Sequence, residues 1–266
     1  MGLHSTADAA AIRASIRSGA FGGHTSGMAP GKLQCNLAIL PAAHALDFLR
    51  FCQRNPKPCP VVGVSETGDP MLPTLGVDID IRTDVPRYRI FRDGVLTGEV
   101  TDIRDLWTDD LVSVALGCSF TFENALVRAG IPVRHIEDGV NVPMFRTNIP
   151  LVPAGPFNGH MVVTMRPIPE AMVDKAHGIS ARFPQAHGAP IATGDPRALG
   201  IADLAKPDYG DAVAVKPGEV PVFWACGVTP QNVLRDARLP LCITHSPGHM
   251  LISDVAEDAE TPIYQS

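Results

Sequence analysis

The chain has no apolar stretch long enough to cross a bilayer, no Cys-x-x-Cys pair, no cluster of Lys and Arg, and no Gly-x-Gly-x-x-Gly or Gly-Lys-Ser/Thr spacing. Each absence removes a class of protein. A membrane-spanning helix needs about 20 consecutive apolar residues. A net charge of -6 and a pI near 5.8 offer no basic face for nucleic acid. Neither nucleic acid nor membrane is therefore an expected partner, and an anionic small molecule would have to be held by local arginines. The glycine-rich passage Gly19 to Gly31 has no strand before it, so it is not a phosphate-cradling loop. Met1 to Gly23 lacks the apolar core of a secretory signal and reads as a short amphipathic surface helix carrying Ile12, Arg13, Ile16 and Arg17. Met1-Gly2 with Thr6 formally fits the loose myristoylation pattern.

What is present fits a globular protein. Of 266 residues, 45% are hydrophobic and 19% charged, enough for one large domain or two ordinary ones. The six cysteines (Cys35, Cys52, Cys59, Cys118, Cys226, Cys242) read as reduced thiols in a cytoplasmic protein, because a chain this size does not depend on disulfide staples. The 25 prolines and 24 glycines are spread throughout, which predicts short elements, well-defined turns and no flexible linker. No internal repeat is visible.

Taken in order, Leu33 to Leu40 reads as a buried strand and Ala42 to Cys52 as a helix with Leu46, Phe48 and Leu49 inward. Three prolines keep Arg54 to Pro60 out of a helix, and Val61 to Val64 follows as a strand. Tyr88 to Arg92 and Val95 to Val100 flank Asp93-Gly94, the strongest hairpin signal in the chain. Leu111, Val112, Ala115 and Leu116 suggest a helix with Thr108 as N-cap, ended by Gly117 in a left-handed conformation. Phe122, Leu126 and Ala129 define a second helix with Ser119 as N-cap. Strand-like pieces follow at Val133 to Ile136 and near Met144. Met161 to Met165 leads into a helix bearing Met172, Ala176, Ile179 and Phe183. Val220 to Ala225 leads into one capped by Thr229 with Pro230 at its first position. Leu241 to Thr244 and Met250 to Ser253 suggest a closing hairpin around His245 to His249. Hairpins mixed with strand-helix units indicate the α+β class.

Cys118 is the first candidate for chemistry. It stands just ahead of a predicted helix, where unpaired N–H groups and the positive dipole end favour a thiolate. The bland alternative is a small buried residue at a turn.

Several stretches together resemble the hydro-lyases of the D-glutamate cyclase type. They include Arg54-Asn55-Pro56-Lys57-Pro58-Cys59-Pro60, Arg82-Thr83-Asp84, Gly117-Cys118-Ser119-Phe120 and Gly130-Ile131-Pro132-Val133-Arg134-His135. Arg146-Thr147-Asn148, Met165-Arg166-Pro167, His187-Gly188-Ala189-Pro190, Phe223-Trp224-Ala225-Cys226-Gly227-Val228-Thr229-Pro230 and Pro247-Gly248-His249 continue the match. The resemblance runs from about Gly19 to Asp254. It implies a single unit over residues 1–266, an α+β fold in which a β-barrel-like part interleaves with a two-layer α/β sandwich. It also implies a hydro-lyase, with conversion of D-glutamate to 5-oxo-D-proline and water as the associated reaction, and the leading expectation is a lyase that needs no cofactor.

Cyclising glutamate needs a base, an acid, donors for a tetrahedral oxyanion and a cation for the α-carboxylate. Cys118 and Cys226, each beside a predicted helix N-terminus, form the candidate acid/base pair, with Ser119, Gly227 and Thr229 beside them. Arg146 with Asn148 is the candidate carboxylate clamp, against the alternative of a surface ion pair. Glu123, His187, His245 and His249 are further acid/base candidates; dipole stabilisation is the default for Glu123 and a structural imidazole for each histidine. Pro247 and Gly248 deprive His245 and His249 of helical metal spacing, so no metal is expected. A small-molecule substrate is the expected partner, and the sequence leaves a homo-oligomer open. A two-thiol racemase or epimerase and a non-catalytic metabolite-binding module are the alternatives.

Overall fold

The computed structural model describes residues 8–259. The myristoylation pattern at Met1-Gly2 and Thr6 lies outside them. The elements in chain order begin with α1 (Ala9–Arg17), β1 (Lys32–Pro41), α2 (Ala42–Arg54), β2 (Val61–Val64), β3 (Tyr88–Arg92), β4 (Val95–Val100), β5 (Leu111–Gly117) and α3 (Phe120–Arg128). There follow α4 (Arg134–Asp138), β6 (Met144–Pro150), β7 (His160–Pro169), α5 (Val173–Ser180), β8 (Ala192–Thr193), β9 (Glu219–Ala225), α6 (Val228–Asp236), β10 (Cys242–His245) and β11 (Leu251–Ala256). The α+β class holds. No sheet closes into a barrel among the described residues. A seven-stranded sheet runs β2-β5-β1-β10-β3-β4 with β11 branching from β1, and a four-stranded sheet runs β6-β7-β9-β8. The chain therefore leaves the first sheet after β5, builds the second, and returns for β10 and β11.

Hydrophobic burial explains where several sequence expectations change. Leu111–Gly117 is a strand, not a helix, and every residue in it is buried between β1 and β2. A central strand covered on both faces reads as a continuous apolar run, which periodicity alone does not separate from a buried helix. Gly117 ends this strand without a positive φ. A Cβ there would lie 1.5 Å from the Gln185 carbonyl oxygen, so glycine answers a close backbone approach. The piece near Val133 is likewise helical: α4 stops at Gly139, whose φ of 67° supplies the left-handed cap. Leu46 is 60% exposed, because α2 turns Ala45, Phe48, Phe51 and Cys52 inward instead. Phe48, Phe51 and Phe157 form one aromatic group, with Phe48 and Phe157 edge to face at 5.2 Å.

The last two strands do not form a hairpin. β10 pairs with β1 at Ala38↔Thr244 and Ile39↔Ile243, while β11 pairs with the same strand at Gln34↔Ile252 and Cys35↔Leu251. They lie end to end along β1, and the segment between them passes beside the functional cavity. Elsewhere the turn chemistry holds. Asp93 and Gly94 take φ values of 50° and 81° between β3 and β4.

The two sheets repeat one local design, undetected in the sequence. In the first, Cys35 pairs with Gly117, and Cys118 N–H donates to the Gln34 carbonyl at 3.0 Å. Thr121 Oγ1 accepts from Gln34 N–H at 3.1 Å. In the second, Val163 pairs with Ala225, Cys226 N–H donates to the Val162 carbonyl at 3.1 Å, and Thr229 Oγ1 accepts from Val162 N–H at 2.9 Å. Each motif is a strand, a cysteine, and a helix pinned to the neighbouring strand by the threonine three residues on. Replacing Gly117 by Ala is expected to destabilise the protein by about 2–4 kcal/mol. The control Gly178→Ala, at an open position in α5, should stabilise it by about 0.5–1 kcal/mol. Urea unfolding of both variants checks this.

Candidate functional site

The paired strand-to-helix junctions bring both cysteines to one small cavity. Its wall contains Asn36, Cys118, Ser119, Asn141, Thr164, Cys226, Gly227, Gln231 and His245, with Phe120, Val142, Met144, Val228, Pro247, Gly248 and Met250 closing it. The registers make Asn36 and Thr164 equivalent, and likewise Cys118 and Cys226, Ser119 and Gly227, Phe120 and Val228. The space within it open to the centre of a water molecule is about 30 Å³, more than the roughly 10–15 Å³ that holds one water. A five-carbon acid enters only if the wall opens. Gly227 is required by packing, since a Cβ there would lie 2.2 Å from Asn36 Nδ2. That amide donates to the Gly117 and Leu116 carbonyls at 2.9 and 3.3 Å.

Each thiol receives an N–H from the helix it precedes; Val228 N–H points at Cys226 Sγ at 3.4 Å. These N–H groups favour a thiolate, but burial is the larger effect. Burial, with smaller contributions from Cys226 and Glu123, pushes the Cys118 thiol up to about 12. Burial likewise takes Cys226 up to about 11. Both are thiols near neutral pH, contrary to the expectation from helix position alone.

Behind Cys118 sits a guanidinium that sequence reasoning did not assign to the site. Arg166 is fully buried and donates through Nη1 to Thr164 Oγ1 at 3.0 Å and through Nη2 to Ser119 Oγ at 3.2 Å. Nε and Nη2 also donate to Glu123 Oε1. Phe122 and Trp224 flank the guanidinium, each ring centroid 5.2 Å away. His135 Nε2 lies 3.0 Å from the same carboxylate oxygen. Burial alone would raise Glu123, but His135 and Arg166 outweigh it and hold the carboxylate at about 2.

His245 occupies the opposite wall. Leu37 N–H donates to its Nδ1 at 3.0 Å, so the neutral ring carries its proton on Nε2. The Gln231 amide lies 2.8 Å from Nε2 and must meet that proton with its oxygen. Burial lowers His245 to about 3, so it is a neutral donor rather than a cation.

The cavity thus gathers Cys118, Cys226, Ser119, Gly227 and His245 among the expected residues. Glu123 stands one layer behind, through Arg166. Thr229 pins α6 to β7 and is absent from the wall. His187 is buried elsewhere, with Nδ1 2.9 Å from the Lys57 carbonyl oxygen. His249 Nδ1 lies 2.9 Å from the Pro247 carbonyl oxygen, and its ring packs against His24 at 4.7 Å. Arg146 and Asn148 are exposed on β6, and Arg146 donates to Tyr209 Oη at 2.7 Å, away from this cavity. Asn36, Thr164, Arg166 and Gln231 were missed. Thr164 and Arg166 did carry a signal, as polar residues two apart within an apolar strand and so on one face.

Two thiols from matching strand-to-helix junctions thus share one small cavity between the two sheets. The family model described as D-glutamate cyclase matches residues 112–254, which include both cysteines. A protein of Dinoroseobacter shibae named "Putative hydro-lyase" is 65% identical over 96% of this chain and 85% of its own length. Similarly named proteins of Ruegeria pomeroyi and Bordetella petrii are 61% and 60% identical over 98% and 95% of this chain, and over 95% and 96% of their own lengths. The chain belongs to the D-glutamate cyclase family. A solved nitrogen repressor-like protein from Methanococcus jannaschii aligns over 88% of this chain and 91% of its own, with TM-score 0.40 and 12% identity, too low to carry a structural argument.

The buried imidazoles predict acid sensitivity. His245 and His187 are lowered by burial to about 3 and about 4 from an ordinary 6.5. The unfolded chain therefore binds their protons first. Stability is complete above about pH 6.5 and falls as pH drops, each imidazole contributing about 1.4 kcal/mol per pH unit until its folded value is reached. Urea unfolding between pH 8 and 4.5 should show that decline, shallower in His187→Gln. Stability independent of pH down to 4.5 would contradict it.

Proposed function

We propose that this protein is a carbon–oxygen lyase of the hydro-lyase class acting on a small amino or hydroxy acid, and that it cyclises D-glutamate to 5-oxo-D-proline with loss of water. The observation that carries this reading is the presence of two thiols, from equivalent strand-to-helix junctions, on one small cavity. The reaction balances without net proton exchange. As the amine nitrogen attacks the side-chain carboxyl carbon, the ammonium group loses two protons and the departing oxygen leaves as water after gaining two. One sulfur, as thiolate, takes the first proton from the nitrogen while the other, as thiol, gives one to the oxygen; with their protonation states exchanged, the pair passes the second proton in the same way and returns to its starting state. Acid–base chemistry of this kind calls for no cofactor.

Incubation with D-glutamate and chromatography for 5-oxo-D-proline tests the proposal. Cys118→Ser and Cys226→Ser should each lower kcat/KM by about 10²- to 10⁴-fold. Because both thiols lie well above neutrality, wild-type kcat/KM should climb about tenfold per pH unit from pH 7 to 9. Failure to form product at any pH would remove the cyclase reading. The near-equivalence of the two cysteine junctions favours a second reading, a two-thiol racemase or epimerase working on opposite faces of an α-carbon. Deuterium appearing at that carbon in D₂O without water loss would select it.

A further inference from the structure

The duplication that builds the cavity is chemically unequal across its two halves. On the α3 side the equivalent positions are Ser119 and Thr164; on the α6 side they are Gly227 and Asn36. Ser119 and Thr164 are 3% and 1% exposed, both line the cavity, and both hydroxyl oxygens accept from Arg166 at 3.2 and 3.0 Å. Each hydroxyl has thus given its oxygen to the guanidinium and keeps its proton. Among the described residues no acceptor takes either proton. A buried donor left unpaired costs about 1–3 kcal/mol, so two of them around one guanidinium mark a place for an acceptor from outside the chain. Opposite them, Asn36 has spent its Nδ2 on the Leu116 and Gly117 carbonyls, while its Oδ1 receives nothing from the described residues. One half therefore offers hydrogen-bond donors beside a buried cation, and the other offers an acceptor.

We propose that the cavity binds a small α-substituted carboxylic acid in one orientation, its α-carboxylate on the Ser119 and Thr164 hydroxyls and its amino or hydroxyl group toward Asn36 Oδ1. The inference rests on reading the chain as an enzyme of small amino or hydroxy acids and supplies the carboxylate subsite that exposed Arg146 does not. Arg166 is a positioning residue here. It holds both hydroxyls with their protons turned away from itself, and Glu123 offsets its charge so that the subsite can remain buried.

Titration calorimetry on the whole protein separates this from the cyclase reading, using D-glutamate, 5-oxo-D-proline and D-2-hydroxyglutarate as probes. A fourth probe, 4-aminobutyrate, lacks the α-carboxylate of glutamate. The α-carboxylates should bind wild type at least 100-fold more tightly than 4-aminobutyrate. Ser119→Ala and Thr164→Val should each weaken them about 10- to 100-fold, while Thr164→Ser, which keeps the hydroxyl, stays within about threefold of wild type. Thr164→Ser also covers the case in which Thr164→Val fails to fold, since Ser119→Ala then supplies the loss and Thr164→Ser the retention. The proposal is overturned if 4-aminobutyrate binds as tightly as D-glutamate, if Ser119→Ala leaves affinity unchanged, or if none of the α-carboxylates binds. Ser119-dependent binding without formation of 5-oxo-D-proline supports this subsite and removes the cyclase reading. Turnover of D-glutamate with affinity unchanged in Ser119→Ala removes the subsite and leaves the cyclase reading standing.

Discussion

The buried ion pair between Arg166 and Glu123 is the constraint on which the rest of the site depends. Neither side chain is more than 2% exposed. Taking two charges out of water costs several kcal/mol each, and their attraction repays this only when further hydrogen bonds complete both partners. Arg166 meets that condition with Thr164, Ser119 and two aromatic faces; Glu123 meets it only at Oε1, which faces Arg166 and His135, while its buried Oε2 has no partner among the described residues. Such a pair contributes little net stability against a well-packed apolar substitute, but losing one partner would strand a charge. Its consequence is geometric. It ties α3 to β7, across the gap between the two sheets, and fixes the Cys118 side of the cavity against the Cys226 side.

The repeated junction gives the site its symmetry and the ion pair takes it away. Residue 123 lies five beyond Cys118, and Gln231 lies five beyond Cys226. From these matching helical positions the first reaches a guanidinium and the second a neutral imidazole. One half of the cavity is thereby biased toward negative charge and the other is left uncharged. A symmetric pair of thiols in an asymmetric field suits a ligand whose two ends differ, as they do in an amino or hydroxy acid.

Much of this was legible in the chain. Asp93-Gly94 gave its hairpin because only a few residue types accept two successive positive φ angles. Cys118 and Cys226 stood out because each stands beside a predicted helix N-terminus, where unpaired N–H groups favour a thiolate. Leu111–Gly117 was misread because a strand buried on both faces loses the alternation by which strands are recognised. Arg146 was overvalued for being a cation in a loop-like context, whereas Arg166 was passed over inside an apolar strand, although a charge placed there has to be paired. The duplication was invisible because what repeats is hydrogen bonding by Cys118/Thr121 and Cys226/Thr229, and little else in the two segments is alike. The His245–Gln231 contact depends on β10 lying beside β1, a pairing that local sequence does not encode.

The central claim is that the two cysteine junctions meet over a single ligand, with its carboxylate on the Arg166 side. A crystal structure of the protein soaked with 5-oxo-D-proline tests this most directly. The account predicts the five-membered ring between the sulfurs of Cys118 and Cys226, with its carboxylate oxygens within hydrogen-bond distance of Ser119 Oγ and Thr164 Oγ1. Density for the ligand beside Arg146 and Tyr209, with the cysteine cavity unchanged, would contradict it.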